Sequence, residues 1–282
     1  MKKILFLTDF SEAANSAFIY ALSTAHKIKA EIHILHIVHI FSSFDSENEF
    51  IDTNRSTGAN QESIDWSHLI NKAEELKEIA DQNGGVNVPL FFHLEKGKIL
   101  NTIQAYISEN KIDVAIMGTS GVDMASKKLA DSKTANIIKH SNIPILTIPA
   151  QAKFNSIRNF TASVMLKKNE RGIIRRLIKN AQVYGYSFNC VHVVEPKEDV
   201  PDIEKKSKQW LAYIGYKDLP LTLIKSNITN GLREFVQKNN VQILGLLHQN
   251  LPFYERLLKI NQDKHILLNS NTALLVYNQD RN

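Results

Sequence analysis

The chain has 282 residues, of which 43% are hydrophobic and 22% charged, with a net charge of +5 and one cysteine. That length calls for two domains of about 140 residues, each able to bury its own core. The single Cys190 excludes an internal disulfide, and the lack of any Lys/Arg stripe leaves no nucleic-acid partner expected.

Cys190 lies in the run Phe188-Asn189-Cys190-Val191, which predicts a buried, inert thiol in a reducing compartment. The opening apolar run ends at Thr8-Asp9, too short for a signal-peptide core, and no stretch reaches the length of a membrane span. A cytoplasmic protein without a membrane partner is expected.

In chain order, residues 3–8 (KILFLT) form a short apolar run, as a strand buried on both faces requires. Ser11 follows as a helix N-cap, and Ala14, Ala17, Phe18, Ala21, Leu22 and Ala25 recur at helical spacing up to Lys29. A second strand covers 31–38, an amphipathic helix 62–83, a third strand about 88–94 and a helix about 98–110. Residues 113–117 make a fourth strand, 132–140 a helix and 144–148 a fifth strand. Alternating strands and helices imply crossover connections and a parallel sheet covered on both faces. Ligands of such sheets sit at the carboxyl ends of the strands, where strand order reverses.

The second half repeats the plan. An offset of 156 lays Leu35-His36-Ile37-Val38 on Val191-His192-Val193-Val194, and an offset of 129 lays residues 145–148 on 274–277. The repeat has therefore lost about 27 residues, mostly between its second strand and the following helix, where the first half carries the polar stretch 42–61. Domains of 1–150 and 157–279 follow, joined by a linker.

The loop after the fourth strand reads Met117-Gly118-Thr119-Ser120-Gly121, then nine residues, then Asp131-Ser132 opening a helix. Glycines there let a phosphate approach the backbone, and a helix amino end offers free N–H groups. Gly-x-x-Gly alone fits an ordinary turn before an N-capped helix equally well.

The opening ILFLTDFSEAANSAFIYAL, the strand ending Leu35-His36-Ile37-Val38, the Met-Gly-Thr-Ser-Gly loop and the closing SNIPILTIP together resemble the universal stress protein family over residues 1–150. The resemblance implies an α/β fold of the adenine-nucleotide-alpha-hydrolase-like, Rossmann-like type. Each half would be a parallel five-stranded sheet with helices on both faces, and the tandem would form a pseudo-dimer paired through 145–148 and 274–277. It also implies ATP or a related adenine nucleotide with Mg²⁺, held in the first unit. Thr8 and Asp9 would lie near adenosine, Val38 beside the base, and Met117, Gly118, Gly121 and Ser132 along the ribose and phosphates. Asp131 stands where the family has a third glycine. Its carboxylate would repel a phosphate about 4 Å away by about 1 kcal/mol in water, although it also suits the N-cap of the helix at Ser132.

In the second half Val164-Met165 replace Thr8-Asp9, and Gly245-Leu246-Leu247-His248 are aligned with Gly118-Thr119-Ser120-Gly121. The loop that follows carries Leu251, Pro252, Phe253 and Tyr254, which predicts packing against a partner rather than phosphate binding. His33, His36 and His39 alternate across one strand, so no metal site is expected. His36 and His192 occupy matching repeat positions, which predicts a structural role. No nucleophile elbow or P-loop is present, so catalysis beyond slow ATP hydrolysis is not expected. The leading reading is a stress-response binding module, which could also form a homodimer or bind a protein partner. The competing reading is a nucleotide-free scaffold with both pockets closed.

Overall fold

The first two strands show why the chain builds one sheet with two cores. In the computed structural model, which describes residues 2–39, 66–119, 133–150, 152, 158–247 and 272–277, β1 (Lys2–Leu7) runs parallel to β2 (Ala30–His39). Ile4 and Phe6 face one side, and Leu5 and Leu7 the other. Both sides are covered by helices, so the run is apolar without alternation.

The first half continues with α1 (Glu12–Ile28) between these strands, then α2 (Trp66–Gln82), β3 (Leu90–Gly97), α3 (Ile99–Asn110), β4 (Val114–Thr119), α4 (Lys133–His140) and β5 (Ile145–Pro149). The second half has β6 (Asn159–Ser163), α5 (Arg171–Tyr184), β7 (Ser187–Val194), α6 (Val200–Ile214), β8 (Leu221–Lys225), α7 (Ile228–Lys238), β9 (Ile243–Leu247) and β10 (Ala273–Tyr277). The strands form a ten-stranded sheet in the order β3-β2-β1-β4-β5-β10-β9-β6-β7-β8. Each half thus has the same internal order, and within each half every pairing is parallel.

The halves meet through the antiparallel pair β5–β10, with Thr147 opposite Leu274, Leu146 opposite Leu275 and Ile145 opposite Val276. This is the pairing expected of residues 145–148 and 274–277. It gives each last strand a hydrogen-bonded neighbour on a side that would otherwise be an open edge. The Thr147 hydroxyl adds a long bond to the Leu274 carbonyl at 3.4 Å. Beside the seam, Lys2 Nζ donates to the Tyr184 hydroxyl at 3.0 Å, and Lys27 lies 6.0 Å from the Tyr186 ring centroid.

Helices α1, α2, α5 and α6 share one continuous apolar layer, in which Phe18 meets Phe6 with ring centroids 5.1 Å apart. Helices α3, α4 and α7 close the opposite face. Cys190 is fully buried, and burial pushes its thiol well above the ordinary range, which removes the thiolate that reactivity requires. The shortening of the repeat falls where it is expected. Residues 195–199 join β7 to α6, whereas 40–65 separate β2 from α2. No helix among the described residues is long and apolar enough to cross a membrane.

Candidate functional site

The strand order places a crevice between β1 and β4, because β1 leads on to β2 on one side and the chain returns to β4 on the other. Register aligns the strand ends closely. Leu7 pairs with Leu35 of β2 and with Met117 of β4, so Thr8 and Gly118 each lie one residue beyond that row and Asp9 two. Val38 is the penultimate residue of β2, opposite Lys96. Thr8, Asp9, Val38, Met117 and Gly118 therefore converge on the carboxyl edge of the sheet. Gly121, Asp131 and Ser132 lie outside the described residues.

The turn after β1 is tightly determined. Phe10 sits at φ 59, a left-handed conformation that costs a non-glycine residue about 1 kcal/mol or more. Three local hydrogen bonds hold it. The Phe10 N–H donates to the Thr8 hydroxyl at 2.9 Å, the Ser11 N–H to the Asp9 carboxylate at 3.0 Å, and the Ala14 N–H to the Ser11 hydroxyl at 3.2 Å. The last is the expected N-cap. The Phe10 ring also stacks on His36, with centroids 4.7 Å apart. Asp9 remains exposed, with its second carboxylate oxygen free of any protein donor among the described residues.

His36 takes the structural role expected of it. Its Nδ1 lies 2.9 Å from the Thr8 carbonyl, which accepts only, so Nδ1 carries the proton. The matching His192 repeats this contact with the Val164 carbonyl at 2.8 Å. His33 faces the other layer, with Nδ1 2.8 Å from the Tyr106 hydroxyl and Nε2 3.1 Å from Glu31. Period-two alternation thus sends His33 and His36 to opposite faces.

Gly118 is where sheet and helix touch. A Cβ there would lie 2.6 Å from the Ala13 carbonyl oxygen and 3.0 Å from the Ala14 nitrogen, both backbone atoms of the first turn of α1. Only glycine lets the amino end of this helix come down onto β4. Met117 points the other way into the α3–α4 layer beside Leu7, so what it offers the crevice is backbone.

The second half keeps the frame with different residues at the strand ends. Leu166, 156 residues after Phe10, has the same left-handed backbone at φ 58. Here the turn is held differently. The Glu170 carboxylate, 1% exposed, accepts from the N–H groups of Met165 at 2.7 Å and Lys167 at 2.9 Å. The Trp210 indole donates to the Lys167 carbonyl at 3.0 Å. Burial raises the Glu170 carboxyl above its ordinary range, against the pull of these donors.

Register also corrects the alignment of the two loops. Ser163 of β6 pairs with Leu246, as Leu7 pairs with Met117, so the counterpart of Gly118 is Leu247, not Gly245. Gly245 matches Ile116 and lies in mid-strand opposite Ala162, where a Cβ would meet the Phe160 ring at 2.8 Å. With leucine in place of the contact glycine, the α-helix starts later. A 3-10 turn over Lys168–Glu170 occupies the level of the first turn of α1, and α5 begins only at Arg171. Glu170 and Trp210 carried no signal in the sequence, since an acidic residue at a helix start reads as a surface feature.

The comparisons with known proteins agree with this architecture. A universal stress protein of Methanocaldococcus jannaschii is 23% identical over 155 residues, 54% of this chain and 84% of its own. The solved structure of a universal stress protein from Archaeoglobus fulgidus superposes with a TM-score of 0.66 at 13% identity, covering 98% of this chain and 96% of that one. A functionally unknown protein from Pseudomonas aeruginosa superposes with a TM-score of 0.60 at 13% identity, covering 99% and 92%. These likenesses extend the fold to both halves. The universal stress protein family model matches residues 1–149, and the chain belongs to that family.

Proposed function

We propose that this protein is a cytoplasmic stress-response binding module that holds ATP or a related adenine nucleotide, with Mg²⁺, in the crevice of its first domain only. The domains are residues 1–150 and 157–279, the second serving as a built-in partner. The observation that carries this reading is the difference between two crevices on one frame. Where the first has Asp9 and Gly118, the second has Met165 and Leu247, and a buried carboxylate already occupies the turn amides.

In this reading Asp9 accepts from the nucleoside, and the Val38 strand end flanks the base. Gly118, Gly121 and Ser132 present backbone and hydroxyl donors to ribose and phosphates. Asp131 weakens the site by repelling phosphate, an effect that bound Mg²⁺ offsets. No nucleophile–base pair is assigned, so turnover beyond slow hydrolysis is not part of the proposal.

Mass spectrometry of denatured, purified protein tests whether adenine nucleotide is carried. Titration calorimetry with Mg-ATP should give one site per chain, and Asp131→Gly should tighten binding by about fivefold, the equivalent of about 1 kcal/mol. A stoichiometry of two would refute the closed second crevice. No heat with either protein, and no carried nucleotide, would establish the nucleotide-free scaffold reading instead.

A further inference from the structure

The net charge of +5 hides a strong segregation. Residues 1–150 hold 14 basic and 18 acidic residues, whereas 151–282 hold 20 basic and 11 acidic, giving −4 and +9. Part of the excess is gathered on one face. Lys168, Arg171, Arg175 and Lys179 are exposed along α5 and the turn before it, the last three at four-residue spacing on one side of the helix.

Tyrosines of α6 and its C-terminal turn stand beside these cations. Lys168 and Arg171 lie 5.9 and 5.0 Å from the Tyr213 ring centroid, and Arg175 lies 6.0 Å from that of Tyr216. Tyr213 is 41% exposed. Among the described residues the ion pairs are Lys3–Glu31, His33–Glu31 and Lys72–Glu75, so none of these α5 cations is neutralised by a carboxylate. The rings hold the cations in place without cancelling their charge. In the first half the counterpart of α6 is α2, which exposes Glu74, Glu75, Glu78 and Asp81 instead.

Tyr216, beside Arg175, also lines a cavity of about 650 Å³ between the C-terminal ends of α5 and α6. Tyr186, Phe188, Tyr216 and Leu219 line it, with Lys217 and Asp218 at its rim. It lies at the amino ends of β7 and β8, the opposite edge of the sheet from the crevices.

We infer that the α5–α6 face binds single-stranded nucleic acid, with the phosphate backbone along Lys168, Arg171, Arg175 and Lys179 and a base in the aromatic cavity. A row of unneutralised cations beside an aromatic recess is the combination that such strands require. A duplex would offer phosphates but no free base. This departs from the expectation drawn from the whole-chain charge, which averages two opposite halves.

The test is fluorescence anisotropy of the full chain with labelled oligo(U) and oligo(dT) of about 12 nucleotides. Binding should weaken roughly fiftyfold between about 50 and 200 mM KCl, as about four phosphate contacts imply. The double variant Arg171→Gln, Arg175→Gln should lose most of the affinity and about half of that salt slope, while Arg171→Lys, Arg175→Lys keeps the slope. Both pairs are exposed, so melting followed by circular dichroism should stay near that of the unmodified protein. No binding at the lower salt would overturn the inference, as would equal affinity for duplex or an unchanged glutamine variant. Displacement by polyglutamate as efficient as by unlabelled oligonucleotide would overturn it in favour of an acidic protein surface.

Discussion

Replacing Gly118 with alanine is expected to lower the unfolding free energy by about 2–3 kcal/mol and, on the proposed function, to remove the nucleotide binding assigned to the first crevice. The new Cβ would stand 2.6 Å from the Ala13 carbonyl oxygen, 2.8 Å from its carbon and 3.0 Å from the Ala14 nitrogen. Contacts that close to backbone are relieved only by moving a whole element, and here the element is α1. Its first turn is bound by the Ser11 cap and the Asp9–Ser11 bond, and Ala14 and Ala17 are packed in the core. Lifting it opens a void beneath them and displaces the turn that carries Asp9. Urea unfolding reads the stability loss and calorimetry the affinity. Gly118→Ala with unaltered stability would mean that α1 rides on β4 more loosely than these distances require. The second half shows the long-term accommodation, in which Leu247 stands at this level and the α-helix begins at Arg171.

A comparable loss, about 2–3 kcal/mol, is expected for Glu170→Ala, which leaves the amides of Met165 and Lys167 without their acceptor. Glu170→Gln should cost less, since its carbonyl still accepts from one amide while its NH₂ faces the other. A pH signature separates the charge from the shape. Burial lifts the Glu170 carboxyl above the ordinary 4.5, so the folded chain holds this proton more tightly than the unfolded chain does. The stabilisation this gives is complete below about pH 4.5 and is lost as pH rises through the lifted value. The glutamine variant should lack that slope. If the two profiles run parallel, Glu170 is ionised throughout and its burial is offset entirely by the three N–H donors around it.

The repeat and the parallel sheet were legible because each strand's apolar run declares burial on both faces, and because strand positions such as Leu35-His36 and Val191-His192 repeat without a gap. Helix starts with a side-chain cap, such as Ser11, were legible for the same local reason. What could not be read was which residues meet across the sheet. Gly245 attracted the alignment because it is a glycine near the right place, yet strand register assigns that level to Leu247. Phe10 gave no sign of its left-handed turn, because bulky residues there depend on tertiary contacts, here the His36 ring. Glu170 was equally hidden. A carboxylate buried against turn amides is indistinguishable by sequence from one that faces water.

The β5–β10 seam joins residues as far apart as Thr147 and Leu274. Closing so long a loop carries an entropic cost that the chain meets within one molecule. In a dimer of separate chains the same pairing would slow with dilution. Fused in one chain it is unimolecular, and the central sheet assembles at the same rate however scarce the protein becomes.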